Sequence, residues 1–130
     1  MLISEAFSRY GSTLKNVNWS VSAFNDKNEL VVSLWEQYFK KLEQGSMTYI
    51  DQTSRWNGHG NKEFISNLNK AIENKSNVRV VIAKTNKPDV VAHGGDASQL
   101  KNTYSVKPDW LGKIEVWDGN NFQIKFTSEP

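Results

Sequence analysis

An α+β fold is expected from three features of the 130-residue chain. One long stripe of apolar residues recurs at helical spacing. Two short runs are largely apolar, with apolar residues on both faces, as inner strands have. The C-terminal stretch alternates apolar and polar residues around a turn. Together they predict a single domain over residues 1–130, with a mixed or antiparallel sheet of about five to six strands against one main helix. A short helix is expected to precede it.

Taken in order, Leu2 to Tyr10 places Ile3, Ala6, Phe7 and Tyr10 on one helical face, with Ser4 as a cap and Gly11 as a stop. In Val17 to Ala23 the odd positions are apolar and Asn18, Ser20 and Ser22 are polar, so a strand with an open polar face is predicted. Glu29 to Trp35 is apolar on both faces and reads as its inner partner across the turn Asn25–Asn28. Glu36 to Leu42 suits either strand or helical turn, and Met47 to Ile50 a further short strand. Asn61 to Lys75 is the main helix, with Phe64, Ile65, Leu68, Ala71 and Ile72 forming its stripe and Gly60 or Asn61 its cap. Glu63 is expected in the first turn, and Lys70 and Lys75 toward the far end. Val78 to Lys84 is another inner strand. Thr85 to Lys107 reads as a long irregular excursion, Pro108 to Leu111 as a helical turn, and Ile114 to Phe126 as a closing hairpin around Asp118–Asn121. Trp19 and Trp35 are expected in the core rather than at a ligand.

Composition narrows the function classes. Without cysteine there is no disulfide frame, thiolate nucleophile or cysteine-ligated zinc. No segment reaches membrane-span length and the N-terminus has no signal-like apolar run, so a cytoplasmic protein is expected. The net charge is only +2, but ten lysines and arginines against five carboxylates lie between Thr53 and Lys113. That block suits a phosphate-bearing partner. His59 and His93 are the only imidazoles, and neither has a metal-ligand spacing. Neither His93-Gly94-Gly95-Asp96 nor Asp109, Lys113, Glu115 and Asp118 completes a hydrolytic or nuclease pattern. There is no phosphate-binding glycine loop of the nucleotide enzymes. Catalytic residues, metals and cofactors are therefore not expected.

The stretch Thr53 to Lys62 is richer. It sets Arg55, Trp56, Asn57, His59, Asn61 and Lys62 around two glycines, just ahead of the main helix. Arg55, Lys62 and the helix amides suit phosphates. Asn57 and Asn61 suit base edges, and Trp56 and His59 suit packing against a base. Asn18, Ser20 and Ser22 would extend the surface if their side of the first hairpin is open.

Leu14 to Ala23 with Glu29 to Trp35, then Ser54-Arg55, Asn61-Lys62-Glu63-Phe64 and Val78 to Ile82, resembles the N-terminal modified-cytosine-reading domain of McrA-like HNH restriction endonucleases. The resemblance covers roughly Leu14 to Ala83, and the HNH module those enzymes carry downstream is missing from this sequence. It implies a double-stranded DNA reader of methylated or hydroxymethylated cytosine without its own nuclease centre, working with a nuclease subunit or a fused HNH domain. Two alternatives stay open: a protein-interaction module of a restriction or phage-defence system, and a small histidine-dependent hydrolase or nuclease.

Overall fold

The computed structural model describes residues 1–16, 19–43, 45–55, 59–85 and 102–128. Its elements are α1 (Ile3–Ser8), β1 (Ser22–Phe24), β2 (Leu30–Trp35), β3 (Phe39–Glu43), β4 (Ser46–Gln52), α2 (His59–Asn74), β5 (Val78–Thr85), β6 (Asn102–Val106), β7 (Trp110–Trp117) and β8 (Asn121–Ser128). Short 3-10 turns occupy Glu36–Tyr38 and Thr53–Arg55. The fold is α+β, as expected, but the mixed sheet has eight strands, with order β1-β2-β5-β7-β8-β4-β3 and β6 also on β5.

β2 and β5 are the inner, parallel pair, in register from Leu30↔Val78 to Trp35↔Ala83. Their continuous apolar runs follow from burial on both faces. On one face Leu30, Val32, Leu34, Val78, Val80 and Ile82 meet Phe64, Leu68 and Ala71 of α2, together with Tyr49 of β4 and Phe122, Ile124 and Phe126 of β8. On the other face Val31 and Val81 meet Ala6 and Phe7 of α1, and Leu14. α1 covers only this part of the sheet. Among the described residues no helix packs on the opposite face of β3, β4, β8 and β7, where Thr48 is nevertheless buried.

Aromatic rings close the first core where β3, β4 and β8 adjoin. Phe39 lies 5.0 Å from Tyr49, ring centroid to centroid, and Tyr49 stacks on Phe122 at 5.7 Å. Phe64 of α2 meets Phe122 edge-on at 5.2 Å. Such pairs add about 0.5–1.5 kcal/mol each beyond the area they bury. Gly112 leaves room here, since a Cβ would run into the Phe126 ring.

The sheet divides at β5. Its second edge pairs with β6 from Val81↔Val106 to Thr85↔Asn102, and with β7 only at Val78↔Gly112. Between them the ladder is broken by a side chain. The Tyr10 hydroxyl donates to the Val80 carbonyl at 2.6 Å and accepts from the Lys107 amide at 2.8 Å. It thus occupies the place of the next rung. Arg79 holds the corner that follows, donating to the carbonyls of Pro108 and Trp110. Its guanidinium is paired with Glu29 at 3.0 Å, and Asn25 donates to Glu29 and to the Tyr10 carbonyl.

Several expectations are corrected. β1 is three residues, not seven; ahead of it the Trp19 and Ser20 amides both donate to the Asn16 carbonyl, which is not strand pairing. Trp19 and Trp35 are half-buried rather than central. Glu36 to Glu43 is a 3-10 turn followed by β3. Within the stretch expected to be irregular lies β6; residues 86–101 are outside the described ones. Pro108 to Leu111 is a strand corner rather than a helical turn, with β7 starting at Trp110. α1 has Leu2, not Ser4, at its cap position and no capping side-chain bond. α2 starts at His59, so Gly60 and Asn61 are helical residues, not caps, and Glu63 falls beyond the first turn. At its end Lys75 takes a positive φ of 53°. The Ser76 and Lys75 amides return to the carbonyls of Ala71 and Ile72, closing the helix as a glycine usually would.

Candidate nucleic-acid interface

The loop singled out in the sequence leaves β4 and enters α2. Its first part is fastened to the β7–β8 turn by one residue. The Thr53 amide donates to the Asn120 carbonyl at 2.8 Å, and the Thr53 hydroxyl and Ser54 amide both donate to Asn120 Oδ1. That turn is itself tied by Asp118, which accepts from the Asn120 and Asn121 amides and the Asn121 side chain. The Asn121 side-chain bond, with the two amides, holds the Asp118 carboxyl below its ordinary range.

Beneath the loop lies Asp51, 5% exposed. It accepts from the Tyr49 hydroxyl at 3.0 Å and the Gln52 amide at 2.7 Å. No group of three or more His, Asp or Glu side chains suited to a metal ion occurs among the described residues.

The loop's second part is held from the other side. Gly60 is buried in the first turn of α2, where a Cβ would collide with the Trp19 carbonyl oxygen. Gly60 is therefore needed for close approach and not for unusual backbone angles. The approach brings the Trp19 indole to 5.5 Å from the His59 imidazole, centroid to centroid and tilted by 48°. His59 and Lys62 are exposed, and Asn61 is half-buried. The first four N–H groups of any α-helix have no acceptor within it, and the helix dipole makes this end favourable to anions.

The site residues expected from the sequence divide accordingly. His59, Asn61 and Lys62 lie together on the opening turns of α2. Trp56, Asn57, Asn18 and the side chain of Arg55 lie outside the described residues. Ser20 and Ser22 are corrected: both are buried and cannot extend an open face. The Ser20 hydroxyl accepts from the Asn16 amide at 3.0 Å, and the Ser22 hydroxyl from Asn67 of α2 at 2.9 Å. Their alternation was a sign of side-chain hydrogen bonds within the fold, not of solvent.

Trp19 is the residue that sequence reasoning placed elsewhere. Its alternating position suggested core, and only the glycine forty-one positions later gives a signal that a backbone must pass close to the helix. Far from the loop, at the other end of α2, a shallow cleft of about 190 Å³ is bordered by Ile72, Lys75, Ser76, Lys113 and Ile114. No family model matches the chain, and neither the curated proteins nor the solved structures contain a match.

Proposed function

We propose that the chain is a duplex-DNA-binding module that uses the opening of α2, and that the base it reads there is a methylated or hydroxymethylated cytosine. The observation that carries the DNA reading is the grouping of exposed Lys62 and His59 on the first turns of α2, with Trp19 against His59. A cation and a helix N-terminus suit a phosphate. The indole and imidazole beside them, tilted to one another, offer aromatic rings for packing against a base. The preference for modified cytosine rests on the family resemblance.

Binding to modified and unmodified duplexes, titrated across salt, tests both parts. Each phosphate contact contributes about 0.9 to the slope of log affinity against log salt. Lys62→Gln should lower that slope by about 0.9 on every sequence. His59→Ala should reduce the difference between modified and unmodified duplexes. A chain that binds no duplex in a salt-dependent way is not a DNA-binding module. Equal affinity for both duplexes removes the cytosine preference and leaves the rest.

A further inference from the structure

The β7–β8 turn carries the one Asp-Gly pair of the chain, Asp118-Gly119. An aspartate followed by glycine isomerises more readily than one followed by a bulkier residue, because no side chain hinders the next amide nitrogen. Both residues are exposed. Gly119 takes a φ of 102°, and no atom lies within 4 Å of the place its Cβ would fill.

The reaction needs only water. The Gly119 nitrogen attacks Cγ of the protonated Asp118 carboxyl. A C–N bond forms, and the amide hydrogen and the carboxyl hydroxyl leave as water. Water then reopens the succinimide ring. Addition at the Asp118 main-chain carbonyl breaks its bond to the Gly119 nitrogen and leaves the chain running through Cβ and Cγ, an isoaspartyl link. Addition at Cγ restores aspartate. One water leaves and one returns, so the mass is unchanged.

In the folded chain the carboxylate is tied away from that route. Its Oδ1 accepts from the Asn120 amide at 2.9 Å and the Asn121 amide at 2.7 Å, and its Oδ2 accepts from Asn121 Nδ2 at 2.9 Å. These bonds draw both oxygens forward over the next two residues. They also favour the ionised carboxyl, which has no hydroxyl to lose.

We infer that Asp118-Gly119 is a latent isomerisation site, latched by Asn121, and that its conversion unfastens the loop ahead of α2. An isoaspartyl link puts one more carbon into the main chain just before Gly119 and Asn120. The Asn120 carbonyl accepts from the Thr53 amide, and its Oδ1 accepts from the Thr53 hydroxyl and the Ser54 amide. All three bonds depend on where the turn places this one residue. Nothing in the turn depends on whether the loop meets nucleic acid.

The test follows isoaspartate in three samples held at about pH 5, where the carboxyl of an unfolded chain is still partly protonated. They are the folded parent, folded Asn121→Ala, and the parent in urea. Trypsin then releases the fragment Ile114–Lys125, whose isoaspartyl form separates on reversed-phase chromatography at unchanged mass. Asn57-Gly58 can close the same ring, but it loses ammonia, changes mass and falls in another fragment. Asn121→Ala should convert about three- to tenfold faster than the folded parent, the effect of losing one hydrogen bond. The parent in urea should convert faster still. A cooperative urea transition shows that Asn121→Ala is folded. Equal rates in the folded parent and the parent in urea overturn the latch whatever the variant does. So does a folded Asn121→Ala that converts at the parent's rate. In the isomerised intact chain, separated by ion exchange, the Thr53 and Ser54 amide signals should shift in NMR spectra; unshifted signals overturn the unfastening.

Discussion

Replacing Tyr10 by Phe removes one oxygen and leaves the ring in place between α1 and the split sheet. Two backbone groups lose their partner: the Val80 carbonyl, 2.6 Å from the hydroxyl, and the Lys107 amide, 2.8 Å from it. A buried polar group left unsatisfied costs about 1–3 kcal/mol. Tyr10 is itself only half-buried, so water reaches part of the gap, and we expect a total of about 2–3 kcal/mol. For a domain of this size that lowers Tm by roughly 8–12 °C. Urea denaturation at pH 8 measures it directly.

The pH dependence checks the same bond independently. Burial, opposed by the Lys107 amide and the Arg79 charge and reinforced by Asp109, raises the Tyr10 phenol above its ordinary value. The unfolded chain therefore ionises first. Stability from this group is complete below about pH 10 and is lost as pH rises through the raised folded-state value. The Phe variant has no such loss at this position, so the gap between parent and variant should narrow above pH 10. Tyr104, also raised by burial, gives both proteins a common alkaline slope. A difference under about 0.5 kcal/mol at pH 8, below the usual worth of one hydrogen bond, would refute the idea that this hydroxyl bridges β5 and β6.

Two other substitutions probe the ends of α2. Gly60→Ala gains about 1 kcal/mol of helix propensity but forces the Trp19 carbonyl away, an overpacking that costs about 1–3 kcal/mol. The expected net is a loss of up to about 2 kcal/mol with shifts of the Trp19 indole and His59 ring signals in NMR spectra; a gain in stability with unshifted signals contradicts the close approach. Lys75→Gly relieves a side chain at positive φ and should raise the urea midpoint by up to about 1 kcal/mol equivalent. A decrease means that the Lys75 side chain contributes more than its backbone strain costs.

Elements whose burial is expressed in their own residues were legible from the sequence. β2 and β5 are apolar on both faces because helices cover both; the β7–β8 hairpin follows its period, and so does the α2 stripe except at Ile72, which is exposed. What was missed depends on distant partners. Ser20 and Ser22 imitate an exposed strand face because their hydroxyls serve Asn16 and Asn67, and no periodicity distinguishes such a hydroxyl from a solvated one. β6 offers only Tyr104 and Val106 as apolar residues in a segment next to turn formers. β3 and β4 blur because the face turned away from α2 carries Lys40, Lys125 and the buried but polar Thr48, so apolar alternation is lost there. Gly60 resembled a cap, yet its role is set by a carbonyl on another element. The position of the candidate site ahead of the main helix could be read in advance; its indole neighbour, Trp19, could not.

The single rung Val78↔Gly112 has a thermodynamic consequence. It is the only described strand pairing between the half-sheet of β1, β2, β5 and β6 and that of β3, β4, β7 and β8; the shared core with α2, and the Arg79 bond to the Trp110 carbonyl, add to it. At the first turns of α2 Trp19 arrives from the side of β1, while Asn120 of the β7–β8 turn fastens Thr53 and Ser54. A ligand held against both would link the two halves. Its binding free energy would then appear as resistance to opening along the seam, growing as RT ln(1 + [L]/Kd), and amides flanking Gly112 would report occupancy by slower hydrogen exchange without touching the ligand.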